Sequence, residues 1–161
     1  SADFIKGKES DQSKYIRQGL LYHNLFSCLR TPKDIDPAIG RLRMEGIIGS
    51  SEEEEQIRKF TLWALNMPQA KDWFSGGWEL YYECDILHWE NNAVKTLRPD
   101  RVMIKDGKVV IVDFKFGNPN HDYNDKMTMY IDKLTQMGYP DVKGYLWYVF
   151  KNEIEEIKVN R

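Results

Sequence analysis

Two β-prone runs meet at Asp106-Gly107, and that junction constrains this chain more than any other feature. Leu97 to Lys105 precedes it and Lys108 to Phe116 follows it, both rich in β-branched and aromatic side chains. Asp-Gly is a favoured two-residue hairpin loop, because both positions accept the positive φ of a type I′ turn. With those residues as the loop, Lys105 faces Lys108, Ile104 faces Val109, and Asp100 comes opposite Asp113. Directly opposed residues share one face of a sheet, with side chains roughly 5 Å apart. Lys115, two residues beyond Asp113, falls on the same face.

The rest of that face is Val102, Ile104, Val109 and Ile111, which reads as core. Two aspartates and a lysine thus sit at the end of an apolar strip, within Val-Val-Ile-Val-Asp-Phe-Lys-Phe. Like charges opposed across a ladder repel, and half-buried carboxylates must be neutralised by a proton or a cation. Hard divalent ions such as Mg²⁺ or Mn²⁺ prefer carboxylate oxygens. A lysine beside such an ion can hold a water and steady charge developing on a phosphate. The plainer alternative is an edge hairpin whose aspartates point into water beside a compensating lysine.

The remainder of the chain divides in two. Gln12 to Arg30 carries Tyr15, Ile16, Leu20, Leu21, Leu25, Phe26 and Leu29 at three-to-four spacing, the pattern of an amphipathic helix with that stripe inward. Thr31-Pro32 ends it. A second helix is expected over Lys33 to Gly46, with Ile35, Ile39 and Leu42 inward, and a third over Ser51 to Asn66. Glu52 to Glu55 fall in the first turn of the third helix, where the dipole favours anions. A short helix to Phe74 and the break Gly76-Gly77 follow. Residues 1–76 therefore form a helical part and 77–161 a sheet core within one domain. Trp78 to Trp89 reads as the first of three meandering strands, before a helix over Tyr123 to Met137 with Met127, Tyr130, Ile131 and Leu134 on one face. Val142 to Phe150 and Ile154 to Val159 return as strands. The expected class is α/β (α+β), a central mixed sheet flanked by helices, with two strands made parallel by the crossover helix.

Composition narrows the chemistry. At 161 residues, 42% hydrophobic and 30% charged, the chain suits one compact domain. Cys28 and Cys84 stand apart, which gives no zinc knuckle, iron–sulfur cluster or disulfide framework. No apolar run approaches a membrane span and no secretory signal is visible, so no membrane partner is expected. Ser1-Ala2 reads as a remnant of tag cleavage, so the chain is expected to be excised from a longer polypeptide. The net charge of −2 argues mildly against a large non-specific nucleic-acid surface.

Pro99-Asp100 followed by Asp113-Phe114-Lys115 resembles the signature of the PD-(D/E)xK nuclease superfamily. Gly19-Leu20-Leu21-Tyr22-His23 and Tyr82-Glu83-Cys84-Asp85-Ile86 are similar to further motifs of its RecB/AddA-like branch, the C-terminal nuclease domains of bacterial helicase–nucleases. The resemblance runs from about Lys14 to Val149. It implies a restriction-endonuclease-like core and one or two Mg²⁺ or Mn²⁺ ions held by His23, Asp100, Asp113 and the Phe114 carbonyl. Asp100, Asp113, Lys115, Glu83 and Tyr130 would then be the catalytic set. It also implies DNA as the substrate, as a single strand or duplex end, with cleavage serving double-strand-break repair. The partners it implies are the helicase portion of the same polypeptide and a second helicase–nuclease subunit, in the bacterial cytoplasm. After its lysine the family has an aromatic, then Gln three residues on and Tyr four further. Tyr123 and Tyr130 match, but the Gln position holds Lys126, placed to contact a DNA phosphate instead.

Taken residue by residue, plainer roles remain. His23 alone reads as a structural or surface histidine, Glu83 as a strand charge, and Tyr130 as core beside Met127 and Leu134. Arg101 points to the opposite face and is open to pairing with an acid, while His88 and His121 read as surface residues. A metal-dependent deoxyribonuclease of exonuclease type is the first functional expectation. The alternative is a catalytically inactive DNA-binding or scaffold module of the same fold, and a stand-alone restriction or repair nuclease would share the chemistry.

Overall fold

The structure is a computed structural model that describes the backbone of residues 2–82, 86–90 and 93–160, and the side chains of 11–81 and 98–160. Four helices come first: α1 (Ala2–Ser27), α2 (Ile35–Met44), α3 (Ser51–Leu65) and α4 (Pro68–Trp73). Five strands follow, β1 (Glu79–Tyr82), β2 (Ile86–Glu90), β3 (Ala93–Leu97), β4 (Arg101–Lys105) and β5 (Lys108–Lys115). Helix α5 (His121–Gln136) then crosses over to β6 (Asp141–Tyr148) and β7 (Glu153–Ile157). The main sheet has the order β1-β4-β5-β6-β7, antiparallel except for the parallel β5–β6 pair that α5 connects. This is the mixed sheet between helices that the element order implied. Among the described residues, no helix is long and apolar enough to cross a membrane.

The expected meander of three strands is more divided. Among the described residues, β1 pairs with β4, whereas β2 and β3 pair with each other in a separate two-stranded sheet. The run Leu97 to Lys105 is broken by Arg98-Pro99-Asp100, because proline cannot donate to a ladder and pushes its predecessor out of regular pairing. The hairpin at Asp106-Gly107 forms as its residues require. Both have positive φ, 52° and 78°, and Lys105 pairs with Lys108.

Alternation along β5 sends its side chains to two cores. Val112, Phe114 and Phe116 pack with Trp147 against the first four helices, around Phe26, Leu29, Trp73 and Phe74. Val109 and Ile111 face α5 through Met127, Tyr130, Ile131 and Leu134. Gly144 on β6 is what lets α5 lie so close: a Cβ there would stand 2.5 Å from Met127 Sδ and 2.8 Å from Ile131 Cδ1.

The inward face of α1 differs from expectation. Leu21, Tyr22, Leu25, Phe26 and Leu29 are buried, but Tyr15, Ile16 and Leu20 are 53, 56 and 61% exposed. Ile16 and Leu20 lie about a third of a turn round the axis from the buried stripe and face away from the sheet. Tyr15 meets the sheet's end through a 3.4 Å hydrogen bond from its hydroxyl to the Phe116 carbonyl. Helix α1 also ends earlier than expected, at Ser27, whose Oγ hydrogen-bonds the His23 carbonyl at 2.7 Å and competes with the helical ladder. Helix α3 begins as its acidic first turn suggested. Ser50 caps the Glu53 N–H, and Arg43 and Arg58 engage Glu54. Ile35, Ile39 and Leu42 are buried on α2 as expected.

Candidate active site

The β4–β5 ladder ends at Arg101 and Val112, and the next pair is Asp100 opposite Asp113. There the carboxylates replace the backbone bonds. Asp113 Oδ1 accepts from the Asp100 N–H at 3.0 Å, and Asp100 Oδ2 accepts from the Phe114 N–H at 2.9 Å. The two acids are thus locked crosswise at the end of the strands. Asp113 is buried, with only 4% exposed, at the close of the strip formed by Val102, Val109 and Ile111.

Two basic side chains approach this pair from different layers. His23 comes from α1, on the other side of the sheet from α5, and reaches past the strand ends to place Nε2 3.1 Å from Asp100 Oδ1. Its ring meets the edge of Phe116, with centroids 6.5 Å apart. Lys115 places Nζ 3.9 Å from Asp113 Oδ2 and 4.1 Å from the centre of the Tyr123 ring on α5. Burial, then the neighbouring Asp100 carboxylate, pushes the Asp113 carboxyl up to about 6. His23 is raised above its ordinary value, chiefly by its hydrogen bond to Asp100.

The residues singled out from the sequence divide clearly. His23, Asp100, Asp113 and Lys115 are brought together. The Phe114 ring packs in the opposite core with Phe26, Phe74 and Trp147, while its N–H binds Asp100. Tyr130 is buried on α5 and donates to the Arg98 carbonyl at 3.4 Å, with burial raising its hydroxyl above the usual phenol range. It therefore holds the turn entering Asp100. Lys126 and His121 are exposed. Glu83 and the His88 side chain lie outside the described residues. Arg101 does point to the far face, where it stacks on Phe74 and donates to the carbonyls of Leu29, Arg30 and Trp73.

One neighbour was not visible in the sequence. Tyr148 is the register partner of Lys115 on β6, is 3% exposed, and its hydroxyl has no hydrogen-bond partner among the described residues. No local pattern marks it, since its place beside Lys115 depends on the parallel pairing of strands separated by α5.

Asp100 and Asp113 offer the carboxylate oxygens that small hard cations take, and His23, now hydrogen-bonded to Asp100 at 3.1 Å, would have to release that bond to join them as a ligand. Among the described residues, no group of three or more His, Cys, Asp or Glu side chains is already arranged to hold an ion. The carboxylates converge in pairs, and a six-coordinate ion would draw its other ligands from the main chain, water and substrate. No protein-family model and no curated protein matches the chain.

Proposed function

We propose that this domain is a metal-dependent deoxyribonuclease of the PD-(D/E)xK type, the nuclease module of a bacterial helicase–nuclease working in the cytoplasm. The observation that carries the reading is the crosswise Asp100–Asp113 pair with His23 on one side and Lys115 on the other. A purely structural hairpin has no use for a buried carboxylate, 4% exposed, held beside a second one.

His23, Asp100, Asp113 and the Phe114 carbonyl would hold Mg²⁺ or Mn²⁺, which supplies Lewis-acid polarisation of a phosphodiester and a more acidic water. The chain's own residues do the rest. The backbone bonds to Asp100 Oδ2 and Asp113 Oδ1 fix both carboxylates so that they need no reorganisation when a phosphate arrives. Lys115, steadied by the face of Tyr123, offers its ammonium to the attacking water and to the charge that builds on the phosphate oxygens. Tyr130 keeps the Arg98-Pro99-Asp100 turn in place.

The test is cleavage of end-labelled single-stranded and duplex-end DNA, with Mg²⁺ or with EDTA. Asp113→Ala and Lys115→Ala should each lower the rate at least ~100-fold, the scale of losing one preorganised electrostatic group, with unchanged circular dichroism. Robust cleavage surviving in Asp113→Ala refutes the assignment. A wild type that binds DNA yet never cleaves, alone or joined to a helicase portion, favours the inactive DNA-binding module.

A further inference from the structure

Helix α1 and the first half of α3 leave a cavity of about 300 Å³ between them, bordered by Ile47 from the loop that joins α2 to α3. It lies on the opposite flank of α1 from the concavity that holds His23 and Lys115, and shares no residue with it. Ligand pockets run from ~300 to ~1,000 Å³, so this one suits a small metabolite.

The lining is divided by charge. Lys14 and Arg17, one turn apart on α1, are exposed cations, and Glu53 on α3 is a half-buried carboxylate. Among the described residues, neither Lys14 nor Arg17 is joined to an acid by an ion pair, so opposite charges share the cavity without meeting. Glu53 Oε2 accepts the Gly49 N–H at 3.3 Å, which leaves its other oxygen free for a ligand. The apolar part of the lining is aliphatic, with Leu21 and Ile57 buried and Ile47 44% exposed.

Tyr22 adds a second, independent sign of a ligand. It is 4% exposed, its ring is enclosed by Phe26, Phe60, Phe116 and Phe150, and its hydroxyl has no hydrogen-bond partner among the described residues. Burial, then the Glu53 carboxylate, pushes that hydroxyl up to about 12, so at neutral pH it remains a proton donor on the cavity wall. A polar group this buried ordinarily has a partner.

Simpler ligands leave a charge unanswered. An anion alone would meet Glu53, a cation alone would meet Lys14 and Arg17, and a neutral apolar molecule would strip water from all three. A molecule with a carboxylate and an ammonium at one end and a branched hydrocarbon at the other answers every part of the lining. We infer that this cavity binds a free amino acid with an aliphatic side chain. Lys14, Arg17 and the Tyr22 hydroxyl hold its carboxylate, Glu53 holds its ammonium, and Leu21, Ile47 and Ile57 receive its side chain.

The test is an NMR titration of the isotope-labelled protein, in EDTA at neutral pH, with L-leucine, isocaproate and isoamylamine. Isocaproate is leucine without the ammonium, and isoamylamine is leucine without the carboxylate. A hydrogen bond to a charged group is worth about tenfold or more in affinity, so leucine should bind at least about tenfold more tightly than either analogue. Tyr22→Phe, which keeps the ring, and Lys14→Gln/Arg17→Gln, at exposed positions, should each weaken leucine by about tenfold. Glu53→Gln should weaken leucine and leave isocaproate no weaker. Absence of saturable leucine shifts at the lining residues, analogues that bind as tightly as leucine, or unchanged leucine affinity in Lys14→Gln/Arg17→Gln overturns the site. Melting temperatures accompany each variant, and if Tyr22→Phe unfolds, the exposed double variant decides. Neither metal nor DNA enters the assay, so its outcome is separate from that of the nuclease reading.

Discussion

At the scale of single residues, Asp113 carries opposite obligations. Opposed to Asp100 it is a repelled charge, and for that reason its removal would be expected to stabilise a metal-free hairpin. Yet its Oδ1 also accepts the Asp100 N–H, so truncation to alanine deletes a bond that the sheet end needs. Asparagine separates the two effects. It keeps an acceptor for Asp100 N–H and removes the charge, so Asp113→Asn should raise the metal-free stability at pH 8 by about 1–3 kcal/mol, while Asp113→Ala gains less or nothing. The pH profile follows from the same groups. The Asp113 carboxyl titrates at about 6 in the fold against 3.8 unfolded, so its contribution is most favourable below 3.8 and declines as pH rises to about 6. Two units correspond to at most about 3 kcal/mol. His23 is raised by Asp100, so the stability from its protonated form is full below 6.5 and lost as pH climbs through its raised value. Both act in one direction, and thermal melts in EDTA should show the protein more stable near pH 5 than pH 8. Saturating Mn²⁺ should flatten that profile, since the ion replaces the protons.

At the scale of elements, two glycines mark opposite situations. Gly144 is where α5 crosses β6, and a methyl group there meets Met127 and Ile131, which are buried in the same cluster. Gly144→Ala should lower stability by about 1–3 kcal/mol, the usual cost of overpacking, as measured by denaturant midpoint. Gly19 sits in the middle of α1 with ordinary contact distance to Phe116, so Gly19→Ala should raise stability by about 0.5–1 kcal/mol. A fall for Gly19→Ala would mean that α1 approaches β5 more closely than the structure has it. The element boundaries reflect similar local chemistry. Pro99 ends one ladder, and α1 ends at Ser27, two residues before its apolar pattern stops at Leu29.

At the scale of the whole molecule, Arg101 ties the helical part to the sheet. It leaves β4 on the face opposite Asp100, enters the first core at 2% exposure, and binds the carbonyls that follow α1 and close α4. Those carbonyls have no onward helical partner, so the guanidinium satisfies groups that burial would otherwise leave unpaired. Arg101→Met keeps much of the packing on Phe74 and should still cost about 3 kcal/mol or more, because charged hydrogen bonds to buried carbonyls are lost together. The loss should be seen in chemical denaturation, and His23 should lose register with Asp100, read as a smaller upward shift of its imidazole titration by NMR. An unchanged titration would show that α1 is held to the site without Arg101.

What the sequence determined by itself was local or periodic. The Asp106-Gly107 turn dictates a register, the register opposes Asp100 to Asp113, and period-two alternation puts Lys115 beside them. The apolar faces of α2 and α5, and the parallel pairing across α5, follow from spacing and handed connections. The position of His23 could be expected from its motif spacing, but its 3.1 Å approach to Asp100 depends on how a helix on one face of the sheet overhangs the strand ends. Only the tertiary structure decided which part of the α1 stripe is buried, because an apolar set as wide as Ile16, Leu20, Leu21 and Leu25 does not say which of its sides meets the sheet. It also decided the separate β2–β3 pair and the place of Tyr148 beside Lys115. Those depend on contacts between residues far apart in the chain, where local propensity carries no information about partners.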